Sequence, residues 1–189
     1  MPGSWGVAED AHTAVQVIPP REVPLGGLRA MTVRRTLPSR ERAFVGAWCF
    51  VDHYGPDDVT LTGGMDVAPH PHTGLATVSW LFAGEVEHRD SAGVHELVRP
   101  GELNLMTAGA GIAHSEVSVP GTTVLHGVQL WVVLPQGEAD GARDFAVLDG
   151  GVEVRASHDC REVMPVPRIP LATDPALGAV DVRCSCLLP

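Results

Sequence analysis

Lysine is absent from this chain of 189 residues: all 13 basic side chains are arginines, set against 23 carboxylates, for a formal net charge of −10. A surface that grips phosphates needs clustered cations. This balance therefore excludes direct nucleic-acid binding as the expected activity. The missing lysine reads as codon bias in a GC-rich genome. Six arginines (Arg21, Arg29, Arg34, Arg35, Arg40 and Arg42) fall in the first 50 residues. They read as a solvated face in preference to a small-anion or RNA site.

Cysteine is also scarce. Cys49, Cys160, Cys184 and Cys186 are the four present, and none forms a CxxC pair. They are too few for a disulfide scaffold, so a reducing compartment is expected. Cys184 and Cys186 form a CxC that could chelate a metal, although a frayed end is the simpler reading. No basic segment followed by an apolar stretch opens the chain, and no apolar run reaches the ~18 residues that span a bilayer. A cytoplasmic protein with no membrane association is the expectation. Helical periodicity is missing as well; no stretch of 3.6-residue repeat lasts more than a few turns.

What is there is short and punctuated. With 44 % apolar residues the chain can bury a core, and 21 glycines and 16 prolines divide it often. Strand-length runs lie between these breaks: 43–51, 77–82, 103–107, 123–134, 145–148 and 152–156. That pattern predicts an all-β sandwich or barrel.

The chemistry concentrates in two places. Residues 69–72 read Pro69-His70-Pro71-His72. On a strand, residues i and i+2 face the same way, ~6 to 7 Å apart, so His70 and His72 project together from a proline-stiffened segment. By itself the pair suits a metal ion or ordinary hydrogen-bonded histidines about equally. Downstream, His114 and Glu116 repeat the i, i+2 spacing after a turn at Gly109 and Gly111. If the two segments pair, three imidazoles and one carboxylate meet, a set suited to a divalent first-row transition metal with open positions. In the bland alternative Glu116 is solvated and His114 caps a turn.

The spacing resembles the cupin superfamily: Gly64, five residues, His70-Pro71-His72, four residues to Thr77, six to Gly84, then Gly101 and His114. Thr77 stands where that motif carries glutamate, and Glu116 supplies the carboxylate instead. With "DHYGP" (52–56), "APHPHTGLATVSWLFAGEVEHRDSAG" (68–93), "RPGELNLMTAGAGIAHSE" (99–116) and "HGVQLWVVLP" (126–135), the chain is similar to the pirin branch of the cupins.

The resemblance implies a cupin-type β-barrel and a mononuclear metal held by His70, His72, His114 and Glu116. Iron(II) is the usual occupant, and nickel, cobalt, copper, zinc or manganese also suit the donor set. It further implies quercetin 2,3-dioxygenase-type activity on a flavonol and dioxygen, in which Glu116 would also serve as catalytic base. The alternative is a non-catalytic, redox-responsive module that binds a partner protein. The expected organisation is a 1–35 extension, a metal-binding barrel at 36–135, and a short 136–189 segment in place of a second barrel. That segment reads as a natural short form or as a truncated or frame-shifted product. An incomplete barrel would expose apolar surface that a homodimer could cover.

Other residues receive structural readings. His88 is expected in a surface hairpin contact in preference to lining the pocket, Asp90–Gly93 in a turn, and His53 either behind the metal or in the core. His126 and Gln129 are expected to hydrogen-bond, with at most one facing the metal. Trp48, Trp80 and Trp131 are expected in the core in preference to forming a stacking platform for a flavonoid.

Overall fold

The structure, a computed structural model, describes residues 17–25 and 31–149. Within them the chain forms β1 (Arg21–Leu25), β2 (Met31–Leu37), β3 (Trp48–Asp58), the one-turn α1 (Val59–Thr62), β4 (Asp66–His72), β5 (Leu75–Ala83), β6 (Val86–Asp90), β7 (His95–Val98), β8 (Glu102–Thr107), β9 (Ile112–Ser118), β10 (Val124–Val133) and β11 (Asp144–Asp149). The run 152–156, Cys160, Cys184 and Cys186 lie outside the described residues. Among the described residues no helix is long and apolar enough to cross a membrane.

All neighbouring strands are antiparallel. They build a seven-stranded sheet in the order β1-β2-β3-β10-β5-β8-β11 and a four-stranded sheet in the order β4-β9-β6-β7. The all-β expectation therefore holds, in the two-layer form of a cupin-type barrel. β2 runs across position 36 to pair with β3, and β11 adds to β8 beyond position 135. The strands that the sequence runs missed (β1, β2, β6, β7) each carry charged residues, which dilutes their apolar signal.

Strand alternation explains the two main cores. One face of the large sheet contributes Met31, Val33, Tyr54, Leu81 and Leu125, and the small sheet answers with Val67, Val86 and Val98. The opposite face of the large sheet carries Leu37, Trp48, Val78, Trp80, Leu103, Leu130 and Val132, also buried. Trp48 and Trp80 are thus core residues, as expected. Each fully buried aliphatic side chain contributes ~1.5 to 3 kcal/mol relative to exposure. Because β5 is buried on both faces, it carries Thr77 and Ser79 into the interior while Val78 and Trp80 hold the outer layer.

The "DHYGP" turn has a steric requirement. Gly55 sits at φ +73°, and a Cβ there would lie 2.0 Å from the Leu125 carbonyl oxygen. Only glycine lets β3 pass β10 at this point, where the pairing is irregular between Leu125 and Gly127. Backbone strain plus overpacking sets the cost of Gly55→Ala at ~3 to 5 kcal/mol. Urea denaturation should show that loss as a shift in midpoint.

Candidate metal centre

β4 and β9 bring the two chemistry-bearing segments together. Val67 lies opposite Glu116, His70 opposite His114 and His72 opposite Ile112, with a register irregularity between Val67 and His70. Among the described residues β4 is an edge strand that pairs only with β9, which is where prolines at alternate positions are tolerated. The sequence motif and the strand's place in the fold agree.

His70, His72 and His114 present ring nitrogens within 4.8 Å of one another. The Nε2 atoms of His72 and His114 are 3.0 Å apart. His70 Nδ1 lies 3.0 Å from the Ala68 carbonyl oxygen, to which it can only donate, so its Nε2 keeps a free lone pair. Burial lowers the His72 pKa to about 4, helped by the neighbouring His70. The His114 pKa falls to about 2, again mainly through burial, with His70, His88 and His72 adding to it. At neutral pH the His72 and His114 rings are uncharged, the form in which imidazole binds metal.

Glu116 is buried beside this group, not inside its tightest cluster. Its carboxylate lies within 4.8 Å of His88 and His114, which form a second group with it. It also lines the same cavity as His70. Burial raises its pKa; His88, His70 and hydrogen bonds from Gln129 and Ser79 oppose the rise. Ser79 Oγ lies 3.4 Å from Glu116 Oε1 and 3.1 Å from Gln129 Oε1. Gln129 therefore faces the site, and His126 does not.

Two expectations need correction. His88 is not a surface hairpin contact: it is 2 % exposed, with Nδ1 3.3 Å from His114 Nδ1 and Nε2 3.2 Å from Asp90 Oδ2. A signal existed in the alternation of β6, where Val86 and His88 are buried while Glu87 and Arg89 point outward. Trp131 is half-buried and lines the cavity, not the core. It stacks on Phe50 at 3.9 Å and meets His72 edge-on at 4.8 Å, while Arg35 lies over Phe50 and pairs with buried Asp52. This stack buttresses His72. No sequence signal marked Ser79, because its contacts with Glu116 and Gln129 span 37 and 50 residues; Gln129 was marked only as one of two candidates on its strand.

His53 lies away from this centre. Its Nδ1 meets Arg34 at 2.7 Å and its Nε2 meets His126 at 2.9 Å. Arginine only donates, so His53 Nδ1 accepts, and a neutral His53 then donates from Nε2 to His126. Burial, with Arg34 and His126 adding to it, lowers the His53 pKa to about 4.

Beside His70 and Glu116 opens a small cleft of about 40 Å³, with Phe50, Tyr54 and Trp131 as aromatic wall and Asp52 and Gln129 as polar points. That volume is well below the ~300 to 1,000 Å³ of small-molecule sites, so a flavonol would enter only if the cleft widened.

A family model described as Pirin matches residues 30–132. The chain belongs to the pirin family. A pirin relative from Pseudomonas aeruginosa, provisionally named a quercetin 2,3-dioxygenase, is 48 % identical over 131 residues, 69 % of this chain and 41 % of its own length. The crystal structure of a quercetin 2,3-dioxygenase from Acinetobacter baumannii superposes with TM-score 0.68 at 40 % identity, covering 74 % of this chain and 46 % of that one. A nickel(II) complex of a bacterial pirin from Escherichia coli gives TM-score 0.53 at 26 % identity, covering 65 % of this chain and 52 % of that one. This pirin thus spans less than half the length of the Pseudomonas relative.

Proposed function

We propose that His70, His72, His114 and Glu116 hold one divalent transition metal, iron(II) in the working protein, for the oxygenative ring cleavage of a flavonol such as quercetin. The observation that carries the reading is the convergence of three imidazoles beside an aromatic-walled cleft. This donor set fits a first-row ion: soft enough for nickel, cobalt, copper, zinc or iron, with carboxylate nearby for manganese. When bound, the metal supplies Lewis-acid and redox chemistry toward a hydroxylated substrate and dioxygen.

The protein's own residues do the rest. Glu116, whose burial raises its proton affinity, takes the substrate hydroxyl proton onto a carboxylate oxygen. Ser79 and Gln129 hold that carboxylate in place. Phe50 and Trp131 form the apolar wall against which a planar ring can lie, and they keep water from that side.

The experiment is aerobic loss of quercetin absorbance by purified protein, with and without iron(II). Metal-dependent turnover supports the reading. Stoichiometric metal without turnover transfers the site to the other class, a metal-bound module that binds a protein partner.

A further inference from the structure

Asp90 and His88 form a buried chain that ends on His114. The Asp90 side chain is fully buried. Its Oδ1 accepts from the backbone N–H of Ala92 at 2.8 Å and of Val94 at 3.1 Å, which locks the carboxylate in the turn after β6. Its Oδ2 faces His88 Nε2 at 3.2 Å. A carboxylate so held accepts, so the proton of neutral His88 sits on Nε2 and its Nδ1 carries a lone pair. That Nδ1 lies 3.3 Å from His114 Nδ1, at the long end of the hydrogen-bond range. The pair is complementary in only one way: His114 carries its proton on Nδ1 and leaves Nε2 bare. The bare Nε2 is the atom that lies 3.0 Å from His72 Nε2.

From this we infer that Asp90 and His88 are positioning residues that fix the tautomer and ring orientation of His114, so that its Nε2 lone pair points at the metal position. The inference rests on the reading of His114 as a ligand. It also explains why a charged-looking strand buries a histidine: β6 delivers His88 between the turn carboxylate and β9. Ring packing supports the placement, with the Phe145 ring centroid 4.5 Å from that of His88 and the planes tilted by 31°. Carboxylate–histidine partners behind a ligand raise its basicity and hold its orientation.

The test is calorimetric titration with Ni²⁺ of the wild-type chain, Asp90→Asn, His88→Leu, His88→Gln and His114→Ala, alongside melting of each in EDTA. Asp90→Asn keeps the oxygen that the turn amides need but can place an amino group against His88. It should weaken Ni²⁺ binding ~10- to 100-fold, as should His88→Leu. His88→Gln should recover most of the affinity, because a carboxamide can accept from His114 and donate to Asp90. Metal-free melting points should not follow that order.

Unchanged affinity in Asp90→Asn and His88→Leu, with His114→Ala unable to bind, overturns the inference and leaves the metal reading standing. Weakening that tracks metal-free melting and is not recovered by glutamine assigns a merely structural role and also overturns it. Two Ni²⁺ per chain, the second lost in His88→Leu, makes His88 a ligand instead and overturns it as well. A wild-type chain that binds no Ni²⁺, or a His114→Ala chain that binds as wild type, removes both. Should His88→Leu fail to fold, Asp90→Asn decides alone.

Discussion

The variant His114→Ala should take up no metal and show no metal-dependent rise in melting point. In the wild-type chain, metal at one hundred times its dissociation constant should stabilise the native state by ~2.7 kcal/mol. For a domain of this size that is a rise of ~5 to 10 °C. His114 carries this prediction because it is the hub of the site: its ring meets His70, His72 and His88. Removing it separates the remaining donors and leaves His88 Nδ1 without its partner. The metal-free variant should lose some stability too, since a 2 % exposed ring leaves a cavity. The informative quantity is therefore the difference between melting points with and without metal. A His114→Ala chain that still gains the wild-type increment contradicts the assignment.

Glu116→Gln should cost turnover far more than stability. Removing a general base lowers rate by ~10²- to 10⁴-fold, measured as quercetin consumption at saturating iron(II). Glutamine nearly preserves shape and can still accept from Ser79. It also removes a carboxylate whose charged form burial disfavours, so the urea midpoint should hold or rise. Metal affinity should fall as well, because a carboxylate donor is lost. Saturating metal separates that effect from the loss of the base. A Glu116→Gln protein with full metal and full turnover would sink the role of Glu116 as base.

Much of the centre was legible in the sequence because strands write their faces with period two. His70 and His72, then His114 and Glu116, announced themselves by i, i+2 spacing, and the intervening glycines set the strands between them. The paired register of β4 and β9 turns those spacings into proximity. Gly55 was legible only as part of "DHYGP"; its reason, the close approach of β10, exists only in the fold.

The second layer was harder. His88 was hidden because Glu87 and Arg89 make its strand look solvated, although the same alternation places it inside. Ser79 lies within an apolar run whose outer face, Val78 and Trp80, belongs to a different core. Trp131 looked like core because its neighbours Leu130 and Val132 are core; its own face is the cleft. In each case tertiary pairing decided which face mattered, and a single sequence does not record that.

The most direct test of the central claim is X-ray absorption at the nickel edge on the chain loaded with one equivalent of Ni²⁺. The account predicts a first shell of nitrogen and oxygen with imidazole scattering from three rings, lost in His114→Ala. A first shell with no imidazole contribution, or one unchanged in that variant, would contradict it.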